Sequence, residues 1–213
     1  HIKSSALSYS PSSGLDQLKH NLANYLNLSR GLKCDHRQII VVSGSLQSLY
    51  LSGSVLLDPG DEVVMENPTF PNVHSIFKGM QAKISALPVD EEGLQTELLP
   101  RPASKVKIAH STPACHYPSG KAMSLKRKKE LLQWASEEKV FLIENDYEHE
   151  VHSYYEQSPS LFELDQEDRV IYMGTFNRLL HPSIRIGYMI LPPYLIEPVE
   201  ALLKHSHRFV PSS

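Results

Sequence analysis

The sequence predicts an α/β fold, because short apolar runs typical of buried strands alternate with segments whose apolar residues have helical spacing. The first strand, Ile39–Val42, is built entirely from β-branched residues. The segment 124–138 is the clearest helix, since Ser124 is a candidate N-cap and an apolar stripe follows it. The predicted strands are 39–42, 62–65, 83–87, 106–109, 140–143, 169–173 and 188–191, and the predicted helices are 14–28, 47–57, 73–80, 124–138 and 194–207.

The length and composition of the chain are compatible with a single α/β domain. The 213 residues suffice for one large domain with a full core, which we predict over 1–213. A net charge of −3 gives no support to nucleic-acid or membrane-surface binding by the chain itself. No apolar run approaches the length of a membrane span, and two cysteines, Cys34 and Cys115, form no disulfide framework, so we expect a cytoplasmic protein. Because the chain begins at His1 rather than Met, we interpret it as a fragment of a longer protein.

A turn of small residues joins the first strand to the next helix. It reads Ser43-Gly44-Ser45-Leu46-Gln47, so backbone N–H groups and the dipole of the helix N-terminus meet there. The turn therefore predicts a phosphate site. The simpler alternative is an ordinary strand-to-helix turn with a serine N-cap.

Two further loops follow predicted strands and carry polar or aromatic residues. Phe70 lies in the loop after strand 62–65, where an aromatic ring can either stack on a ligand or pack on the core. Tyr117 lies in the loop 111–120, beside Cys115 and His116. Adjacent side chains in an extended segment point to opposite faces, so we do not predict a catalytic or metal-binding role for that pair.

The segment Glu144-Asn145-Asp146-Tyr147 ends the strand that precedes it. Alternation along a strand predicts that Asn145 and Asp146 face opposite sides of the sheet. The segment 173–188, MGTFNRLLHPSIRIGY, then combines a buried strand, a polar loop with Arg178 and Arg185, and a second strand. Small residues and fixed cations at strand ends suit a bound anion.

These five stretches, in this order and spacing, resemble fold-type I pyridoxal-phosphate (PLP) enzymes. The resemblance is greatest to the aminotransferase-like domain of MocR-type regulators of the GntR family, and it extends from Gly14 to the helix after Tyr194. It implies a mostly parallel seven-stranded sheet with helices on both faces, and homodimerisation through this domain. It also implies that a winged-helix DNA-binding domain and a small C-terminal domain lie outside the chain, so that DNA is bound only by a domain outside this fragment.

The resemblance implies a PLP site with two decisive departures. The family segment reads Ser-Lys where Asn177-Arg178 stands, and it has an aspartate for the pyridine nitrogen where Asn145 stands. Arginine stays protonated and forms no Schiff base, and asparagine supplies no charge to the ring nitrogen. The residues implied to surround the cofactor are Gly44, Ser45, Leu46, Gln47, Phe70, Tyr117, Asn145, Tyr147, Thr175, Asn177, Arg178 and Arg185.

Three functional hypotheses follow. The first is an effector-binding and dimerisation domain of a MocR-type regulator that binds PLP non-covalently, or another small anionic metabolite, in a degenerate site. The second is an active PLP-dependent aminotransferase that transfers amino groups between an amino acid and a 2-oxo acid. The third is a dimerisation domain that binds no ligand. No residue is predicted to be catalytic, no metal site is predicted and no membrane partner is expected.

Overall fold

A computed structural model describes residues 11–147, 158–176 and 185–206 of the chain. Its strands form one sheet in the order β1-β8-β7-β6-β5-β2-β3-β4. The strands are β1 Ile39–Val42, β2 Glu62–Asn67, β3 Lys83–Asp90, β4 Gly93–Leu94, β5 Val106–Ser111, β6 Phe141–Asp146, β7 Val170–Thr175 and β8 Gly187–Ile190. The helices are α1 Asp16–Arg30, α2 Ser45–Leu56, α3 Pro71–Gly79, α4 Leu125–Glu138, α5 Leu161–Leu164 and α6 Ile196–Ser206, with 3-10 turns at His36–Gln38, Thr96–Leu98 and Pro193–Leu195.

The predicted mostly parallel sheet is confirmed. Strands β7, β6, β5, β2 and β3 pair in parallel, whereas β8 runs antiparallel to both of its neighbours, β7 and β1. The sheet has one strand more than the seven predicted, because the two-residue strand β4 pairs with the end of β3 in a tight antiparallel hairpin. All the parallel strands therefore present their carboxyl ends at one edge of the sheet.

Helices cover both faces of this sheet, as predicted. Helices α2, α3 and α6 pack on one face through a core that includes Leu49, Phe77 and Val199. Helices α1 and α4 pack on the other face, where Leu26 and Trp134 are fully buried. Among the described residues, none of the helices combines the length and apolar character that a membrane span requires.

Local signals in the sequence explain where two of these helices begin and end. Ser124 caps α4 by accepting a hydrogen bond from the backbone N–H of Arg127, as its position predicted. Helix α1 ends at Gly31, which adopts a left-handed conformation (φ 71°) and returns its N–H to Asn27.

Candidate ligand-binding site

A cavity of about 240 Å³ opens at the carboxyl ends of the parallel strands, on the face covered by α2 and α3. Its lining comes from the N-terminus of α2, the loop after β2, the first turn of α3, the ends of β5, β6 and β7, and the loops after β5 and β6. The lining residues are Ser45, Thr69, Phe70, Val73, His110, Thr112, Tyr117, Asn145, Tyr147 and Thr175.

Strand alternation explains why polar side chains line this cavity. Along β6, Ile143 faces the core beneath α2, so Asn145, two residues later, faces the same side at the end of the strand. His110 follows Ile108 in the same way on β5. The stripe on this face of the sheet thus changes from apolar to polar at the row where the cavity begins.

The turn before α2 closes one end of the cavity. Gly44 has φ 95°, a conformation that favours glycine, and no side chain caps the helix. Gly187 on β8 lies directly against this turn, because a Cβ atom there would sit 2.9 Å from the Gly44 Cα. The Gly44 carbonyl accepts hydrogen bonds from the backbone N–H groups of Gln47 and Ser48, so the helix begins at this turn. A helix N-terminus of this kind is a place where an anion can bind.

Two aromatic side chains stand at the mouth of the cavity. Phe70 and Tyr117 make an edge-to-face contact with ring centroids 5.6 Å apart. Phe70 is 44% exposed and Tyr117 is 40% exposed. Neither ring is therefore packed into the core, which was the alternative to a ligand-stacking role for Phe70.

The floor of the cavity contains buried polar atoms without partners. Both ring nitrogens of His110 and the Oδ1 atom of Asn145 make no hydrogen bond to any described residue. Burial lowers the pKa of His110 to about 4, so its imidazole is neutral at pH 7. Buried polar atoms almost always find partners in folded proteins, so these atoms indicate a place where a ligand or water binds.

A buried carboxylate holds the loop after β5 in place. Glu66 accepts hydrogen bonds from the hydroxyl of Ser111 and from the backbone N–H and hydroxyl of Thr112. Burial raises the pKa of Glu66, and these donors oppose that shift. His116 donates from Nε2 to the carbonyl of Pro68, 2.9 Å away, and so ties the loop of Tyr117 to the loop of Phe70.

Asp146, the neighbour of Asn145, lies on the opposite face of the sheet, as alternation predicted. Its Oδ2 atom accepts hydrogen bonds from Arg30 Nε at 3.0 Å and from the Tyr172 hydroxyl at 2.7 Å. Burial opposes ionisation of Arg30, but the Asp146 carboxylate outweighs it and raises the Arg30 pKa. Asp146 thus supplies no charge to the cavity.

The structure brings together half of the residues predicted from the resemblance. Ser45, Phe70, Tyr117, Asn145, Tyr147 and Thr175 all line the cavity. The adjoining turn and the first turn of α2 contain Gly44, Leu46 and Gln47, which do not line the cavity. The Gln47 side chain accepts a hydrogen bond from the backbone N–H of Ser43. Arg185 is exposed at φ 49° just before β8, and Asn177 and Arg178 lie outside the described residues.

One local prediction was wrong. The strand predicted over 169–173 ends too early, because Gly174 and Thr175 also belong to β7, where Thr175 pairs with Gly187. The strand continues because β8 supplies antiparallel backbone partners as far as Thr175. Thr175 therefore lines the cavity from within the sheet.

Sequence reasoning missed four lining residues, namely Thr69, Val73, His110 and Thr112. Thr69 and Thr112 lie within motifs that were recognised, so their neighbours carried a signal. For His110, alternation from Ile108 predicts the face of the sheet on which the ring lies, but not whether its nitrogens have partners.

The chain belongs to the aminotransferase class I and II family, whose model matches residues 1–213. Its fold is that of PLP-dependent transferases. It superposes on the crystal structure of an archaeal alanine:glyoxylate aminotransferase with a TM-score of 0.93, at 30% identity, covering 99% of this chain and 54% of that one.

The chain is also similar to transcriptional regulators. It is 37% identical over 187 residues to an uncharacterised HTH-type transcriptional regulator, YhdI, of Bacillus subtilis, covering 86% of this chain and 39% of the regulator. It is 33% identical over 196 residues to the probable rhizopine catabolism regulatory protein MocR of Rhizobium meliloti, covering 92% and 39%. The chain therefore spans about two fifths of the length of these regulators.

Proposed function

We propose that this chain is the effector-binding domain of a MocR-type transcriptional regulator, and that its cavity binds PLP non-covalently or another small anionic metabolite. Catalysis is not part of this proposal. The similarity to regulators supports the class of protein, and the chemistry of the cavity supports the mode of binding.

The observation that carries the proposal is Asn145 on the cavity floor. Its carboxamide oxygen is buried without a partner, at the position where the family has an aspartate. A carboxylate there would keep a pyridine nitrogen protonated, whereas a carboxamide forms a hydrogen bond without adding charge. The floor therefore retains a group that orients a ring but lacks the group that activates one.

The opposite end of the cavity suits an anion. Ser45 lies in the first turn of α2, whose uncapped N-terminus offers backbone N–H groups and the positive end of the helix dipole. The resemblance would also bring Arg178 and Arg185 to this end, although Arg185 does not line the cavity and Arg178 lies outside the described residues. A phosphate or carboxylate held there leaves the rest of a small ligand directed toward Asn145.

The described residues fit a phosphorylated pyridine held without a covalent bond. The α2 turn would hold its phosphate, Phe70 and Tyr117 would border its ring at the cavity mouth, and Asn145 and Tyr147 would hydrogen-bond its polar edge. When bound, PLP supplies an aldehyde and an electron-withdrawing ring, and Arg178 offers no amine nucleophile to that aldehyde. The chain's own part is to bind and orient.

The remaining features of the full protein are proposals of the same kind. A regulator of this class would dimerise through this domain and bind DNA through a separate domain outside the chain. Ligand binding at the edge of the sheet would then be read out by the relative arrangement of domains. The ligand-free structural alternative would require Arg178 and Phe70 together to block the cavity; Phe70 stands at its mouth without filling it, and Arg178 lies outside the described residues.

The test compares the wild-type chain with Arg178→Lys. Both are incubated with PLP, treated with borohydride, and analysed by absorbance and intact mass after removal of free PLP. We expect the wild type to carry no covalent adduct but to show a PLP-dependent rise in melting temperature, since a ligand of the native state stabilises it. Arg178→Lys should gain one reduced pyridoxyl-phosphate group.

Each other result has a defined meaning. An adduct on the wild type would mean that another lysine forms the bond, and the aminotransferase hypothesis would replace this one. If the wild type shows no stabilisation by PLP or by a panel of phosphorylated and carboxylated metabolites, the ligand-free structural hypothesis would replace it. If Arg178→Lys gains no adduct although it binds PLP, position 178 is not the family lysine position.

A further inference from the structure

We propose that His110 is a ligand-binding residue of this cavity, and that it recognises, together with Asn145, the uncharged polar edge of a ring-shaped ligand. This inference rests on the proposed function and defines its ligand class. Nothing in the sequence motifs assigned a role to His110, which lies at the end of β5, one residue before the loop that carries Tyr117.

Two buried histidines, His110 and His116, differ in whether their ring nitrogens have hydrogen-bond partners. His116 is 3% exposed, and its ring nitrogens lie 2.7 Å from the Ser119 hydroxyl and 2.9 Å from the Pro68 carbonyl. His110 is 1% exposed, and neither of its ring nitrogens has a partner among the described residues. His116 is therefore a satisfied structural residue, whereas His110 lines the cavity with unused hydrogen-bonding capacity.

His110 and Asn145 are placed to act on one ligand. His110 is paired with Ile143 across β5 and β6, so Asn145 is its diagonal neighbour on the same face of the sheet. Both line the cavity, and the Asn145 Oδ1 atom also lacks a partner. The floor thus presents a carboxamide acceptor and an imidazole that has one donor and one acceptor in its neutral form.

The charge of the floor limits what can bind there. Burial keeps the His110 ring neutral at pH 7, and no lining residue in the described part of the chain carries a formal charge. An ionised ligand group placed beside His110 would be desolvated without compensation. The ligand must therefore place an uncharged donor and acceptor on the floor and its anionic group at the α2 turn.

A hydroxylated, unprotonated pyridine with an anionic side chain meets both conditions. Its ring nitrogen accepts a hydrogen bond, its hydroxyl donates one, and the two lie in one plane. The aldehyde of PLP is not needed for this recognition. Pyridoxine 5′-phosphate should therefore bind, and benzyl phosphate, which has the same phosphate and ring size without polar ring atoms, should bind more weakly.

The experiment measures dissociation constants of both compounds by calorimetry for the wild type, His110→Leu and the control Ile108→Leu. Ile108 lies on the same face of β5 but outside the cavity lining. His110→Leu should weaken pyridoxine 5′-phosphate binding by about 3- to 10-fold, the value of one or two net hydrogen bonds. Binding of benzyl phosphate should be unchanged, and Ile108→Leu should bind both compounds as the wild type does.

A second measurement separates binding from a structural role. Without ligand, His110→Leu should melt at a higher temperature than the wild type, because it removes buried polar atoms that lack partners. His110→Asn, which keeps a donor and an acceptor, should recover part of the affinity for pyridoxine 5′-phosphate. Loss of ligand affinity combined with a gain in stability is not expected of a residue that only supports the fold.

Three results would overturn the inference. If the wild type binds pyridoxine 5′-phosphate and His110→Leu binds it equally well, His110 makes no ligand contact, although the proposed function stands. If His110→Leu melts at a lower temperature and weakens both compounds alike, its role is structural. If the wild type binds neither compound nor PLP, the proposed function fails, and this inference fails with it.

Discussion

Asn145 and Asp146 are neighbours on β6 whose side chains serve opposite faces of the sheet. Asn145 lines the cavity, whereas Asp146 is 2% exposed and accepts hydrogen bonds from Arg30 and Tyr172 beneath α1. A carboxylate one residue from the cavity floor is therefore already committed to a buried ion pair. It cannot replace the aspartate that the family places at position 145.

The Arg30–Asp146 pair also fixes the strand that carries Asn145. Arg30 ends α1 and additionally donates to the Ser158 carbonyl at 3.2 Å, so one guanidinium connects α1, β6 and the chain before α5. Both side chains are almost fully buried, at 5% and 1% exposure. Removing either partner would leave the other charge buried without compensation.

We therefore expect Asp146→Asn to lower the free energy of unfolding by about 3–5 kcal/mol, the usual result of breaking a buried ion pair from one side. Urea unfolding followed by circular dichroism measures this change. The matched control is Asp35→Asn, because Asp35 pairs with Arg37 on the surface. The control should change stability little, since exposed ion pairs contribute little. Similar midpoints for both variants would show that the buried pair contributes no more than the exposed one.

The sequence predicted the layout of the sheet well because β-branched and apolar runs have few alternatives to a buried strand. The predicted strand 39–42 coincides with β1 at both ends. The predicted strand 140–143 corresponds to β6, which begins one residue later and continues to Asp146. The strand β4 was missed because two residues have no periodicity and pair only through the hairpin with β3. Thr175 was misplaced because the partner that extends β7 lies beyond a long loop.

Site residues that lie within sequence motifs could be predicted, whereas a residue whose role depends on its buried surroundings could not. Phe70, Asn145 and Tyr147 were found because they lie within recognisable segments after strands. His110 was not, because a single histidine in a strand is indistinguishable in sequence from a satisfied core histidine such as His116. Only the three-dimensional arrangement shows that one has partners and the other does not.

Gly187→Ala should distort the turn before α2 and weaken anion binding, although Gly187 does not line the cavity. A Cβ atom at Gly187 would lie 2.9 Å from Gly44 Cα, 3.2 Å from Gly44 N and 3.1 Å from the Gly174 carbonyl oxygen. All three are backbone atoms, so the turn before α2 has to move. We expect a loss of about 1–3 kcal/mol in unfolding free energy, typical of overpacking, and weaker binding of PLP and of benzyl phosphate alike.

Gly79→Ala is the control for this substitution, because a Cβ atom at the end of α3 would meet nothing within 4 Å. It should leave ligand affinity unchanged. Calorimetry with benzyl phosphate is the most direct measurement, since that compound has no polar ring atoms that could contact the cavity floor. Wild-type affinity in Gly187→Ala would show that β8 does not set the shape of the α2 turn.

Glu144 should lower the stability of the folded protein as the pH rises from 4.5 to 7. Burial, followed by the nearby charge of Asp146, raises the pKa of Glu144 from 4.5 to about 7, although the N–H groups of Leu161 and Phe162 donate to it. Between these two pH values the folded state holds a proton that the unfolded state has released. Stability from this group is therefore present below pH 4.5 and is lost as pH rises to 7.

We expect Glu144→Gln to remove this loss. Each unit of pKa shift corresponds to about 1.4 kcal/mol, so the variant should gain about 3 kcal/mol relative to the wild type between pH 4.5 and pH 8. Urea unfolding at several pH values, with the exposed Glu167→Gln as control, measures the gain.

The difference between variant and wild type is the quantity to follow, because His110 acts in the same range with the opposite sign. Burial lowers the His110 pKa from 6.5 to about 4, so its contribution to stability is lost as pH falls through that window. The two dependences partly cancel in the wild type and separate in Glu144→Gln and His110→Leu. If the unfolding free energies of Glu144→Gln and of the wild type change in parallel between pH 4.5 and 8, Glu144 is ionised in the folded protein throughout this range. Burial then does not raise its pKa.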